Sequence, residues 1–517
     1  MRTLLVTPAQ SGEVDLSSPT DAVSRVARCR RVLAGEDDEG TKVHPSMFDE
    51  GVISFAQGEG MRRPHPTVVA AGVRALLDTE ISALDDYLFL QRMKPLDEAI
   101  AQFFRADGID AATAGNICVD SGTTRLFLAF LHAVANRGDV FGVAPTYYHP
   151  LADWCELAGV RLVCVPTRRT RGYKLTREDL EDWHERRART GSGRGLRGLF
   201  LFNPTQTGAV YTREDLEGIA SFVAAHDLLV LEDCIFTLTE YDPLEARHHL
   251  VSCEGMPERV VTISGASKAH GLANVRVGWG CGPRPIIDKM NAFGVLTSAT
   301  TPQIAKLMAL AALKVPREYH LANASEARDR ATLIIDLIAS VNREVHASTH
   351  GAQGEGIVQV EHVPRAGHSI LLSFDGMRGL KCPDGTVVAD SVDVARYFLR
   401  EANVALAPGL ANGFDGCQMR LCFACVGLRQ TYASSHAAEV TAALEEVVAC
   451  GSRAGLDSLR EICLAPTATY RSGPGGNPGF SEGRALIRTA LLDRIAPALT
   501  RLVTSNRTWH PEGSGAR

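Results

Sequence analysis

Short apolar runs and stretches of helical period alternate along most of the chain. GVISF (51–55) reads as a short strand, and the patterns near 66–78 and at 95–107, which includes LDEAIAQFF, read as helices. NICVD (116–120) leads through a turn into the apolar helical stretch SGTTRLFLAFLHAVA. VFGVAPT, RLVCVPT, GLFLFNPT, LLVLEDC and RVVTISG follow, each spaced from the next by a helical pattern such as TREDLEGIASFVAAH. Runs that are apolar on both faces and separated by helices predict an α/β fold. In it, a mostly parallel central sheet is sandwiched by helices. A second series, IVQVEHV, HSILLSF, VALAPG and MRLCFA, predicts a smaller α+β domain.

These patterns divide the 517 residues into four parts, as a chain too long for one core requires. Residues 1–49 are polar, contain the acidic GEDDEG and show no clear period, so they form an N-terminal arm. Residues 50–340 make the large domain, whose opening stretch around GVISF is free to pack with the small domain, and residues 341–463 make the small one. Residues 464–517 hold a Gly/Pro/Ser-rich linker (465–483) and a C-terminal helix. Ile487, Leu491, Ile495, Leu499 and Leu502 fall on one face of that helix, despite Pro497.

Composition narrows the function. The formal net charge is −6, and the basic stretches TRRTRGYK and HERRARTGSGRGLR fall between strands as solvated connections. This argues against a nucleic-acid partner. No apolar run is long enough for a bilayer and MRTLLVTPAQSGEVD lacks a signal-like core, so a cytoplasmic location without membrane contact is expected. Thirteen cysteines are an odd and dilute set, which suits reduced thiols. Cys422 and Cys425 have CxxC spacing, but LCFAC reads as a buried strand, and no metal site is expected.

Candidate chemistry centres on GASKAHGLANVRVGWG (265–280), directly after the strand VVTIS. A lysine in a small-residue turn at a strand end is held in a cleft, where it can lose its proton and form an imine with an aldehyde. Lys268 is in that position, and Arg276, eight residues on (268 to 276), can grip a phosphate through two N–H groups. A surface lysine near an unrelated arginine is the other reading, and these residues alone leave both open. Ser121-Gly122-Thr123 at a strand-to-helix turn suits an anion, or a plain helix cap. Asp233 ends a buried strand, where a carboxylate is costly without a cationic partner.

The stretch GASKAHGLANVRVG resembles the cofactor-attachment signature of the class I/II aminotransferases, the fold type I enzymes of pyridoxal 5′-phosphate (PLP). Four further landmarks in the family's order extend the resemblance over roughly residues 50–440. It implies PLP held as a Schiff base on Lys268, with Ser121, Gly122, Thr123, Ser267 and Arg276 around its phosphate. Many relatives carry a serine where this chain has Gly265, so one phosphate donor is missing. Tyr147, in APTYYHP, would stack on the pyridine ring, with Tyr148 as its neighbouring candidate and a core aromatic as the alternative. Asp233 would pair with the ring nitrogen and keep the ring electron-poor. Three residues later the family usually has a tyrosine whose hydroxyl reaches the cofactor's phenolic oxygen, and Phe236 cannot donate. In FNPTQTGAVY, one residue shorter than the relatives' NPxNPTG run, Asn203 is the choice for the amide that bonds that oxygen. Gln206 is the reserve, and a simple turn built by Asn-Pro and Gly208 is the alternative.

On the substrate side, the resemblance makes Arg420 the fork that grips an α-carboxylate and puts Gly58, in QGEG, beside the substrate. Tyr87, in LDDYLF, matches a tyrosine that reaches the phosphate of the neighbouring subunit, although the usual glycine after it is absent. This implies a homodimer with shared active sites. Lys268 and Asp233 would be the catalytic residues, with Lys268 as the base that removes the α-proton. The leading reading is an aminotransferase of specialised metabolism that acts on the α-amino group of an L-amino acid, a small-molecule substrate. DEGVIS, LDDY…AIAQFF and PTYYHP also resemble ACC synthase. With Phe236 and the altered loop, they support an alternative: elimination or carbon–carbon bond formation on S-adenosylmethionine or a related γ-substituted amino acid. A PLP-binding regulator is the remote alternative, since the arm has no helix-turn-helix pattern or basic patch.

Overall fold

The computed structural model describes residues 19–37, 39–58, 60, 64–77, 92–190, 195–242, 247–349, 356–424, 426 and 478–506. Tyr87, Cys425 and linker residues 465–477 lie outside them. The central sheet has seven strands, in the order Ile117–Asp120, Gly278–Cys281, Val260–Gly265, Leu229–Asp233, Leu196–Phe202, Val140–Val143, Arg161–Cys164. Gly278–Cys281 runs antiparallel to both neighbours, and every other pairing is parallel. That antiparallel strand carries no β-branched run to announce it. Its glycines answer to close packing instead, since a Cβ on Gly278 would lie 2.7 Å from the Thr123 nitrogen.

Alternation along the strands fills both faces of the sheet. Phe200, Phe202, Leu231 and Ile263 pack with Leu126, Phe127 and Phe130 of helix Thr123–Val134. Leu199, Leu201 and Val230 pack on the other side with Leu216, Ile219 and Val223 of helix Arg213–Ala225. Each such buried side chain contributes roughly 1.5–3 kcal/mol. Because the parallel strands end on one side, the turns after residues 120, 143, 202, 233 and 265 converge there, as they do in open α/β sheets that bind ligands.

A four-stranded antiparallel sheet runs Ala407–Pro408, Gln418–Cys422, Ser369–Ser373, Gln359–Val360. Ile53–Ser54 pairs instead with Val404–Ala405, so Ile53 and Phe55 share a core with Leu372, Phe398 and Leu421. The arm differs from its aperiodic reading, because Pro19–Ala34 is a helix. Val26, Cys29 and Val32, spaced by three, form a buried stripe that Arg25, Arg28, Arg30 and Arg31 hide in the sequence.

The C-terminal helix also starts earlier than the linker reading has it. It runs Pro478–Arg488, widens to a π-helical segment over Thr489–Ile495 just before Pro497, and continues as Ala496–Ser505. All five residues of its apolar face are buried, in the same core as the second sheet. Among the described residues no helix is long and apolar enough to cross a membrane.

Candidate active site

Lys268 lies three residues beyond strand Val260–Gly265, half-buried, and its Nζ donates to the Gly58 carbonyl. A Cβ on Gly58 would sit 3.5 Å from Cys422 Sγ and 3.9 Å from Lys268 Nζ. The bare backbone thus brings the lysine, the glycine and the end of strand Gln418–Cys422 together. Asp233 ends the strand beside that of Lys268, only 4% exposed, and its Oδ1 accepts from the Ile235 N–H at 2.9 Å. Burial pushes its carboxyl up to about 7, against the pull of that N–H and of the Lys268 charge. A buried carboxylate so poorly compensated has the right chemistry for a cation such as a protonated pyridine nitrogen.

Gly122 is the N-cap of helix Thr123–Val134, at φ +84°, and it brings no side chain to cap the first turn. The turn's N–H groups are thereby available to an anion. Arg276 closes over it: a Cβ on Gly122 would lie 2.9 Å from the guanidinium carbon. Arg276 itself is exposed and donates from Nη1 to the Ala273 carbonyl at 2.8 Å. Ser121 and Thr123 flank Gly122 half-buried, and Ser267 is buried next to Lys268. The residues present therefore suit PLP, a phosphate ester with a basic ring nitrogen and an aldehyde.

Arg420 is 7% exposed and donates from Nη1 to Gln206 Oε1 at 3.3 Å, while its buried Nε has no hydrogen-bond partner. His149 lies near it. Burial, then the charges of Arg420 and Arg30, push this imidazole down to about 3, so it is neutral. Asn203 does not face this cleft. Both hydrogens of its Nδ2 are committed, to Glu232 Oε1 at 2.9 Å and to the His248 carbonyl at 2.8 Å. Gln206, three residues on, takes the inward place instead. Gly208, at φ +80°, lets this turn press against the second sheet's loop, where a Cβ would lie 2.6 Å from Pro364 Cβ.

The Tyr147 ring sits in the core cluster beside Cys164 and 3.2 Å from where a Cβ on Gly413 would be. Its carbonyl accepts from Asn412 Nδ2 at 2.6 Å. In this arrangement it packs as a core aromatic, and Tyr148 packs on His149 and Trp154 with ring centres 5.3 and 5.8 Å away. Phe236 is buried and meets the His368 ring edge-on at 5.9 Å. Tyr87 lies outside the described residues.

One buried group is not among the candidate site residues named above. Glu232 precedes Asp233 and points to the other face of the sheet. It accepts from Asn203, from the Leu250 N–H at 3.1 Å and from Thr262 Oγ1 at 3.2 Å. His249 lies between it, 3.6 Å away, and Asp107, 3.1 Å away. Two adjacent carboxylates in a buried strand imply a partner on each face, and that was the readable clue. Glu232, Cys234 and His249 bring donors within 4.8 Å of one another, but the oxygens of Glu232 are already taken by N–H and O–H groups.

Strand ends that present a cleft lysine, a buried carboxylate and a helix N-terminus define a PLP-binding α/β enzyme. Residues 50–433 match the family described as aminotransferase class I and II. A probable aspartate/prephenate aminotransferase of Rickettsia felis is 25% identical over 411 residues, 79% of this chain and 91% of that one. An aspartate aminotransferase of Pinus pinaster is 27% identical over 71% of this chain and 70% of its own. The solved aspartate aminotransferase of Rhizobium meliloti superposes with a TM-score of 0.62 at 20% identity, over 89% of this chain and 98% of that one. The chain belongs to the class I and II aminotransferases, and it is a PLP-dependent transferase.

Proposed function

We propose that this protein moves the α-amino group of an L-amino acid to a keto acid, as a cytoplasmic homodimer in specialised metabolism. The observation that carries the reading is Arg420. It is a buried guanidinium steadied by Gln206 with an unpartnered Nε, on the strand whose end meets Gly58 and Lys268. Such a fork suits a planar carboxylate. Lys268 would hold the cofactor, Asp233 would face its ring nitrogen, and Ser121, Gly122, Thr123, Ser267 and Arg276 would face its phosphate. When bound, PLP supplies the electron sink that makes the substrate's α-proton acidic. Arg420 then orients the substrate by its carboxylate, and the Lys268 amine takes the α-proton and returns it. The Gly58 carbonyl holds that amine at the cleft floor.

A panel of amino acids tests the reading. L-aspartate heads it, because the relatives' names include aspartate, and S-adenosylmethionine is included. Formation of a keto acid together with the pyridoxamine form of the cofactor is the expected outcome. Consumption of S-adenosylmethionine with loss of its sulfonium group, and no keto acid from any donor, would replace it with the elimination reading.

A further inference from the structure

Helix Pro478–Arg488 lies beyond the family match, which ends at residue 433. It docks against helix Arg317–Ser348 and Val426, just past the strand that carries Arg420. The link is Arg330, on helix Arg317–Ser348, whose side chain is fully buried. Its Nη1 donates to the carbonyls of Phe423 at 2.7 Å, Val426 at 3.0 Å and Ala424 at 3.4 Å, the residues that follow strand Gln418–Cys422. Its Nε donates to Glu326 Oε1 at 2.8 Å. Glu326, buried as well, is shared with the C-terminal helix: Arg484 Nε donates to its Oε1 at 3.2 Å, and Arg484 Nη2 pairs with its Oε2.

Gly483 sets how close the helix comes. A Cβ there would lie 2.5 Å from the Val426 carbonyl oxygen and 2.7 Å from Arg330 Cζ, and neither backbone nor fully buried guanidinium has room to yield. A glycine inside a helix costs about 1 kcal/mol relative to alanine, so its presence here answers to the approach. One guanidinium that gathers three carbonyls fixes the chain just past a strand, and its position is set by a carboxylate and by the wall behind it.

We propose that the C-terminal helix, through Gly483 and the Arg484–Glu326–Arg330 chain, is a positioning element for Arg420. The helix walls in Arg330, Arg330 pins Phe423, Ala424 and Val426, and the pinned strand end holds the Arg420 guanidinium in register with Gln206 and the cleft. Gly483, Arg484, Glu326 and Arg330 are positioning residues. The proposal rests on Arg420 being the carboxylate-binding arginine.

The test uses the full-length holoenzyme with Gly483→Ala, Gly483→Val and, because a bulky change could disturb folding, the half-exposed Arg484→Ala, which removes a contact without adding volume. Amide hydrogen exchange at residues 418–424 needs no substrate. It should quicken at least tenfold in Gly483→Val and less in the other two, with the 229–233 and 260–265 strands unchanged. Half-saturation by the amino acid that the panel identifies should rise in the same order, with kcat and cofactor content kept within about twofold. Melting temperatures that fall while exchange at 418–424 and half-saturation stay at parental values would overturn the proposal and leave a purely structural helix. Arg420→Ala run in parallel separates the two ideas: if it leaves half-saturation unchanged, the reading of Arg420 fails, whatever the exchange data show.

Discussion

The Nη1 of Arg420 donates to Gln206 Oε1 across 3.3 Å, from a strand of the second sheet to the turn that follows strand Leu196–Phe202 of the first. The two sheets thus meet at the group that would bind substrate. Loss of a buried, hydrogen-bonded charge pair costs about 2–5 kcal/mol. Arg420→Ala should therefore raise KM for an α-carboxylate substrate about 30-fold or more, with cofactor binding little changed. Gln206→Ala removes one hydrogen bond to a charged group, worth about 1.5–3 kcal/mol, and at this length should raise KM by about tenfold. Steady-state kinetics on both variants check the pair. A normal KM in Arg420→Ala would move the carboxylate to another cation.

Lys268 is the lysine that should carry the cofactor. Purified protein should be yellow, and borohydride reduction should fix the label on the peptide that contains Lys268. Lys268→Ala should lose both the covalent band and turnover. A label recovered on any other lysine would end the assignment, and the contact with Gly58 would then be only structural.

How far these residues could be read from the sequence depended on what each needed. Lys268, Asp233 and Ser121–Thr123 were legible because each sits at or just past a strand end, and strand ends announce themselves through short apolar runs such as VVTIS and LLVLED. Gly278–Cys281 did not, because a strand chosen for close backbone approach gives up the side chains that signal it. Asn203 was ranked ahead of Gln206, because the sequence does not show that Glu232, placed behind Asn203 by the fold, takes the Asn203 amide. Val26, Cys29 and Val32 went unread because arginines surround a stripe only three residues wide. The Arg330–Gly483 contact joins positions far apart in the chain, and no local pattern records it.

Asp233 makes a pH-dependent statement about the cofactor-free protein. Its folded value of about 7 lies above the value near 3.9 of an unfolded chain. Between those two values the folded state binds more protons than the unfolded state, so this group's contribution to stability falls as pH rises. Cofactor-free Asp233→Asn, which cannot ionise, should gain on the parent from pH 5 to pH 8, by on the order of 2–3 kcal/mol. With cofactor the order should reverse, because the amide cannot pair with a protonated ring. Thermal melts at the two pH values, with and without PLP, check both halves. A gap that does not change with pH would mean that Asp233 is hydrated and already ionised.

Phe236 should leave a trace in the cofactor's spectrum. The family resemblance implies that a tyrosine at this place usually donates to the cofactor's phenolic oxygen. Here the ring is buried, edge-on to His368 at 5.9 Å, with no hydroxyl to offer. With the cofactor on Lys268, its phenolic oxygen would help to hold a proton on the lysine nitrogen, and a donor on that oxygen would draw charge away and weaken the hold. Without the donor, the visible band should keep its protonated form to higher pH than in a tyrosine-bearing relative. Phe236→Tyr adds one donor and little volume, so it should move the midpoint of the absorbance titration to lower pH. Phe236→Leu, which adds no donor, should leave it in place. The pair of variants separates hydrogen bonding from packing. A midpoint that moves equally in both would point to repacking against His368. One that moves in neither would mean that Phe236 does not face the phenolic oxygen, and the pairing of Asp233 with the ring nitrogen would need a new register for the turn that joins them.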